Sequence, residues 1–443
     1  MTFEEFKDAV LAAALAQGAT AAEVYYESNE SARVGVYQQK LDTYSMSYKE
    51  GLNLRVIVNG HTGSAYTEIL ENPEELAAAA IDNAGVITAS EEHPMQGACT
   101  YAELPVMEDP LQEVAVADRV EMLKTMEKQI LAQDPRVVKM SSGSMASGRG
   151  VTKIYNTLGL AAEDAMTYST CMASAVVAEE GEVRNSYSFK IGASAMDYEA
   201  CGREAVQEAL DQLGAAPVAT GTYDVVFRGD AFASILSAFF PMFSAENAQK
   251  GMSLLAGREG TAIASPLVTI MDDPFYARFP RAFDAEGTPS VVTTVVENGE
   301  LRTLLHNLKT AAAAGVASTS NAGRDSAAAS ISIAPSTFYV KPGEASYEEL
   351  LEQMGDGLVI TDVSGLHAGL NPISGSFSLL AAGFLVEGGC VVRSVNQITV
   401  AGSFESLFGN IAAIGSDLKF TPSAPECFGA PSVYVKSVQV AGK

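Results

Sequence analysis

Cations are scarce in this chain. Only 28 lysines and arginines stand against 54 aspartates and glutamates, a net charge of -26 over 443 residues. Each phosphate contact needs a cation, so this balance opposes direct binding to nucleic acid. The five cysteines (Cys99, Cys171, Cys201, Cys390 and Cys427) are scattered, odd in number and without a CxxC pair. That pattern excludes a disulfide framework and fits reduced thiols in a cytoplasm. The four histidines, His61, His93, His306 and His367, lie too far apart to form a local metal-ligand pair. The most apolar run, Ala231 to Phe243, is too short to span a bilayer, and the opening MTFEEF has no basic region or cleavage site. A soluble, cytoplasmic protein without a membrane partner is expected.

What is present is an ordinary globular composition, 47% hydrophobic and 19% charged, in a chain long enough for two or three domains. Thr2 followed by Glu5 fits a capping box, and Phe6, Val10, Leu11, Ala14 and Leu15 recur at helical spacing before Gly18. From Ala22 to Leu70 the residues turn β-branched and aromatic, with a hairpin signal at Asn59-Gly60, and Asn72-Pro73 opens a second helix through about Ala84. After a linker near Glu91 to Pro110 the order returns: a helix from about Val114 to Ala132, strands with a turn at Glu180-Gly181, and a helix from about Tyr198 to Leu213. Internal duplication and chance likeness of two α+β segments both fit this order. A joint rich in Pro, Ala and Gly, from Gly214 to Gly221, leads into a C-terminal region with hairpin signals at Asn298-Gly299 and Gly388-Gly389. The expected fold is α+β: helix-strands-helix units over 1-90 and 111-214, then a larger mixed domain over 221-443.

The segment GLHAGLNPISGSFSLLAAGFLVEGG, Gly365 to Gly389, is the most informative, because its glycines punctuate apolar runs as though backbone were held close to something else. GDGLVITDV precedes it. Together with QKGMSLLAGREG from Gln249, ASPLVTIMDDP from Ala264, LHNLKTAAAAGVASTSNAGR from Leu305 and ITVAGSFESLFGNIAAIGSDL from Ile398, it resembles the TldD/PmbA family, also called modulator of DNA gyrase. The resemblance implies a cytoplasmic metallopeptidase built from two related subunits, one bearing HExxxH on a helix. In that motif two imidazoles hold the metal while the glutamate activates its water. Counted without gaps from ASPLVTIMDDP, the matched positions here are about Leu236, Ser237 and Pro241, and the family's C-terminal cysteine ligand falls near Asp417. No metal ligand, cofactor or catalytic residue is assigned. Cys427 reads as an ordinary thiol.

The resemblance is therefore to the metal-free TldE/PmbA subunit. It implies a non-catalytic partner of an HExxxH-bearing TldD-type paralogue, acting in proteolysis of unfolded peptides. The other reading is a homodimeric peptide-binding or assembly protein without peptidase activity, in which a peptide adds to a sheet edge. Gly365, His367, Asn371, Ser374 and Phe377 are the candidate peptide or subunit contacts. His367 with Ser374, Ser376 or Ser378 could be mistaken for a catalytic pair, but a triad also needs an orienting acid, and a structural or peptide-contacting loop is preferred. Asp272-Asp273 before Pro274 reads as a strand end and turn, and SSGSMASGRG around Gly143, Gly148 and Gly150 as a flexible loop or hairpin. TAAAAGVASTSNAGR reads as a helix ending near Gly315, at the cavity, at the subunit contact or in simple packing.

Overall fold

The computed structural model describes residues 1–86, 93–104, 110–192, 197–276, 279–423 and 426–443. The first unit is α1 (Phe3–Ala16), β1 (Ala21–Tyr37), β2 (Lys40–Val58), β3 (His61–Thr67) and α2 (Pro73–Val86). The second is α3 (Val116–Gln133), β4 (Val137–Asn156), β5 (Ala161–Glu179), β6 (Glu182–Gly192) and α4 (Tyr198–Leu210). Helix α1 begins where the residues say it should: Thr2 accepts from the Glu5 amide while the Glu5 carboxylate accepts from the Thr2 amide. Its apolar stripe of Phe6, Val10 and Ala14 is fully buried.

These two units share one sheet. Its strand order is β3-β2-β1-β4-β5-β6, with β1 and β4 antiparallel at the centre. The topology is two-fold symmetric: Lys40, Val58 and His61, which bound the strands of the first unit, correspond to Ala161, Glu179 and Glu182 in the second. Strand alternation then sorts the faces. Ala22, Val24 and Tyr26 of β1 lie under α1 and α2, and Val34 and Val36, on the same face, lie under α3 and α4. Tyr25 on the other face meets Phe283 and Ala327 of the C-terminal domain. All four helices thus cover one side of the sheet and the C-terminal domain covers part of the other.

The segment SSGSMASGRG is not a loop or hairpin. It lies inside β4, where Gly148 pairs with Ser31 on one side and Tyr168 on the other. A Cβ at Gly148 would sit 2.4 Å from the Tyr168 ring, so glycine here makes room for an aromatic neighbour rather than for a turn. The expected linker from Glu91 to Pro110 falls partly outside the described residues. Its described part is fastened to the C-terminal domain, with Tyr101 against Phe283 (ring centroids 5.1 Å apart) and its hydroxyl donating to Gly287 O.

Beyond the joint, β7 (Gly221–Phe227) leads into α5 (Gly229–Phe239). Strand β7 pairs with Gly357–Ser364 on one side and Val433–Ala441 on the other. Val433–Ala441 pairs with Cys390–Ser403, that strand with Ser376–Glu387, and the last returns to Gly357–Ser364, so the strands close on themselves. A second, six-stranded sheet stands beside them. Helix α5 buries Phe232, Ile235, Leu236 and Phe239 in the main core, where Phe239 meets Phe404 and Phe408 edge-on.

A buried ionic group sits on the covered face of the N-terminal sheet. Arg55 donates twice to Glu23 Oε1, at 2.8 and 3.1 Å, and its Nη1 lies 3.7 Å from Glu286 Oε1 of the C-terminal domain. Asn156 Nδ2 donates to the other oxygen of Glu23, and the Leu308 amide to Glu286 Oε2. Glu23, Arg55 and Glu286 are each at most 3% exposed. Burial pushes the Glu286 carboxyl up to about 8; Arg55 opposes that shift and Asp284 adds to it.

Candidate functional site

A cleft of about 900 Å³ lies between the second N-terminal unit and the C-terminal domain. One wall is β6. Residues 185–191 all line it, which requires the strand to present its edge, since one face would show only alternate residues. As the last strand of the sheet, β6 has no strand paired to its outer side among the described residues. The facing wall is α5, which contributes Asp230 and Ser234, with Thr361 and Asp362 of Gly357–Ser364 beside it.

Arg228 holds the elements of the cleft together. Its guanidinium reaches Glu208 of α4 and Asp230 of α5, each at 2.7 Å, and donates to Thr361 O. Lys190 of β6 pairs with Glu204 of α4 at 2.6 Å, and Ser188 donates to the same carboxylate. A register shift between Ile360 and Asp362 turns Asp362 toward the cleft. Its side chain is open to solvent by area, yet the surrounding walls remove enough water to push its carboxyl up, and the nearby Asp230 adds to that shift against Arg228. The lining carries the acids Glu204, Glu208, Asp211, Asp230 and Asp362 against the cations Lys190, Arg228 and Lys419, so the cleft is net acidic.

The positions matched to the metal motif fall on and just after α5. Leu236 is wholly buried in the core, Ser237 is half-buried, and Pro241 lies in the short 3-10 turn Phe240–Phe243. None offers a metal ligand of the family's kind. Asp417, matched to the cysteine ligand, accepts from the Ser432 amide and hydroxyl at 2.9 and 2.7 Å, while Ser432 Oγ accepts from the Gly229 amide at the start of α5. It is occupied in positioning the helix. Among the described residues no group of three or more His, Cys, Asp or Glu side chains could hold a metal ion. The residues present do not fit the family's metal.

Of the five contact candidates, Gly365, His367, Asn371 and Ser374 are exposed and Phe377 is buried. Gly365 caps the short helix Leu366–Gly369, and His367 on that helix is exposed. Asn371 Oδ1 accepts from the Ile373 and Ser374 amides, which makes it a turn residue, and Ser374 Oγ lies 2.7 Å from Ser376 Oγ. Phe377 is a core side chain, 5% exposed and edge-on to Phe239. The close approach read from the glycines is real at Gly383, where a Cβ would fall 1.9 Å from Val359 O of the neighbouring strand. Asp272 ends its strand and is fully buried, accepting from Asn321 Nδ2 and the Ser336 amide; Asp273 makes the turn by accepting from the Phe275 amide. The alanine-rich helix Leu308–Ala314 ends at Gly315. Arg228, Glu208 and Asp230 were not singled out by sequence; the sole local signal for them is an acid in the first turn of α5.

A two-fold N-terminal sheet carrying a closed C-terminal domain, with a cleft between them, defines a class of fold, and comparison places the chain within it. Three family profiles match in order: PmbA/TldA metallopeptidase domain 1 over residues 22–84, the central domain over 109–213 and the C-terminal domain over 220–442. This chain belongs to the PmbA/TldD metallopeptidase family. A solved structure from Thermotoga maritima MSB8, named as a candidate modulator of a DNA gyrase, is 34% identical, with a TM-score of 0.92 over 99% of this chain and 100% of that one. Metalloprotease PmbA of Escherichia coli O157:H7 is 25% identical over 75% of this chain and 71% of its own length. TldE from Thermococcus kodakarensis, at 22% identity, shares the fold with a TM-score of 0.90 over 99% of this chain and 100% of that one.

Proposed function

We propose that this chain is the non-catalytic subunit of a cytoplasmic TldD–TldE-type peptidase that degrades unfolded peptides. One observation carries the reading: α5, the helix matched to HExxxH, has Leu236 and Ser237 at the ligand and base positions, yet still walls a cleft lined by the edge strand β6. An extended peptide can add to β6 through main-chain hydrogen bonds, which asks little of its side chains. The HExxxH-bearing paralogue supplies the metal and its activated water. Isolation of the chain from its native cell, with metal analysis of the complex, tests this. The expected result is a stoichiometric HExxxH partner that carries all of the metal; metal bound to this chain in the partner's absence contradicts it.

The position of β6 at the sheet's edge also favours a second reading, a homodimeric peptide-binding protein without proteolysis. Peptide capture with full recovery of intact peptide, from cells that encode no HExxxH paralogue, would select it. Any influence on gyrase is then indirect, through turnover or capture of a peptide, because a net charge of -26 opposes contact with DNA.

A further inference from the structure

The acids that line the cleft are not equally occupied. Glu204 is held by Lys190 and Ser188, Glu208 and Asp230 share Arg228, and Asp211 accepts from the Gln207 side-chain amide at 2.6 Å. Asp362 is held by none of these means. Among the described residues no cation or hydrogen-bond donor engages its carboxylate, and its charged neighbours, Asp230 and Arg228, are already bound to each other.

The backbone puts this carboxylate in the cleft. Asp362 pairs with Ala382 of the strand Ser376–Glu387, and the ladders slip on both sides of that strand at the same level. One slip falls between Ile360 and Asp362 on the side of Gly357–Ser364, the other between Ala381 and Gly383 on the side of Cys390–Ser403. Bulges of this kind re-aim side chains, and two of them meet at Ala382. Ile360, Val363 and Ala381 stay in the core, while Asp362 and Ala382 line the cleft. Beside the carboxylate the floor is low, since Ala382 has one methyl group and Gly383 has no side chain. Phe384 and Tyr187 of β6, the latter 63% exposed, give the same cleft apolar surface.

A strand added to the edge of β6 sends alternate side chains to the two faces of the sheet. One set is directed to the side of α4, where Glu204 and Glu208 already have cations. The other set is directed to the side of the C-terminal domain, which carries Asp362. Resting on the peptide-site reading above, we propose that Asp362 determines specificity at that site by selecting peptides with a lysine or arginine, whose stem lies along Tyr187 and Phe384 while its cation meets the carboxylate over Ala382. A long basic side chain has the apolar stem and charged head that this lining asks for. The walls that push the Asp362 carboxyl up, with Asp230 adding to the shift against Arg228, also screen a bound cation less than open solvent would.

Fluorescence anisotropy tests this, with the purified full chain and a short unstructured peptide, acetylated and amidated, that carries lysine, norleucine or glutamate at one central position. The lysine peptide is expected to bind at least about 3-fold more tightly than the norleucine peptide at low salt, with the gap closing as salt is added. Asp362→Asn removes the gap, and Asp362→Lys turns the preference toward the glutamate peptide. Glu75→Gln on the exposed face of α2 makes the same change in net charge and leaves the gap as it is. The Asp362 side chain is exposed, so circular dichroism and thermal unfolding of its variants should match the parent. A norleucine peptide with a free N-terminus that binds as tightly as the acetylated lysine peptide would assign the cation to the chain terminus and overturn the proposal. Equal binding of the three acetylated peptides, or a lysine preference that survives Asp362→Lys, would overturn it and leave the peptide reading standing. Failure of every peptide to bind would overturn both.

Discussion

The two halves of the N-terminal sheet have the same topology and different surroundings. Beside β6, α4, α5 and Gly357–Ser364 close in to form a cleft bound by the Arg228 ion pairs. The start of β5 is covered by Phe279, Phe283 and Phe420 of the C-terminal domain, whereas the corresponding stretch of β2 has no strand on its outer side among the described residues, and its Leu41, Tyr44, Met46 and Tyr48 face solvent. The difference teaches that the C-terminal domain, docked on one part of the sheet, gives two topologically equivalent units unequal surroundings. What fixes that docking is the buried group of Glu23, Arg55 and Glu286 together with the packing of Tyr25 and Ala162 on Phe283.

The largest effect should come from breaking the docking itself. Arg55→Ala leaves Glu23 buried without its cation and is expected to cost about 3–5 kcal/mol, read by urea unfolding. An unchanged midpoint would show that the two bodies are held together by other contacts. Tyr168→Ala, on the covered stretch of β5, should cost about 1–3 kcal/mol. The matched change on the exposed stretch of β2, Ser47→Ala, should stay within about 0.5 kcal/mol. Equal costs for the two would erase the contrast between the halves.

A pH dependence separates the docking face from the cleft. Glu286 has its folded-state carboxyl raised from 4.5 to about 8, so the folded chain holds a proton that the unfolded chain releases. Its contribution to stability is complete below about 4.5 and is lost as pH rises through about 8. Glu286→Gln should flatten the decline in melting temperature between those limits, whereas a slope identical to the parent's would assign it to other groups. The smallest effect concerns the acidic cleft: an unstructured peptide rich in glutamate should bind a few-fold more weakly than its neutral counterpart at low salt, and the gap should close as salt is added.

Much of the fold was legible because its signals are local. The capping box at Thr2 and Glu5, and the turns at Asn59-Gly60, Glu180-Gly181 and Asn298-Gly299, each with both residues at positive φ, are written in adjacent residues. The glycine-bearing stretch of β4 misleads for the same reason, since glycine signals a loop locally while the partners that hold it in a strand, Ser31 and Tyr168, are distant or on another strand. The sharing of one sheet by two units, and the return of Ser376–Glu387 to Gly357–Ser364, depend on such long-range pairing. The candidate site was legible only in part. The family blocks located α5 and the loss of its metal residues, and strand alternation in Ser376–Glu387 explains why Phe377 points into the core. Arg228 and Glu208 meet across 20 residues of chain with no motif to announce them.

The central claim is that this chain shapes a peptide site whose chemistry belongs to another subunit. Hydrolysis of an unstructured peptide, measured for the purified chain, for the HExxxH-bearing paralogue and for the two together, tests it most directly. The account predicts cleavage by the pair, abolished by a chelator, and none by this chain alone. Robust metal-dependent cleavage by this chain in isolation would contradict it.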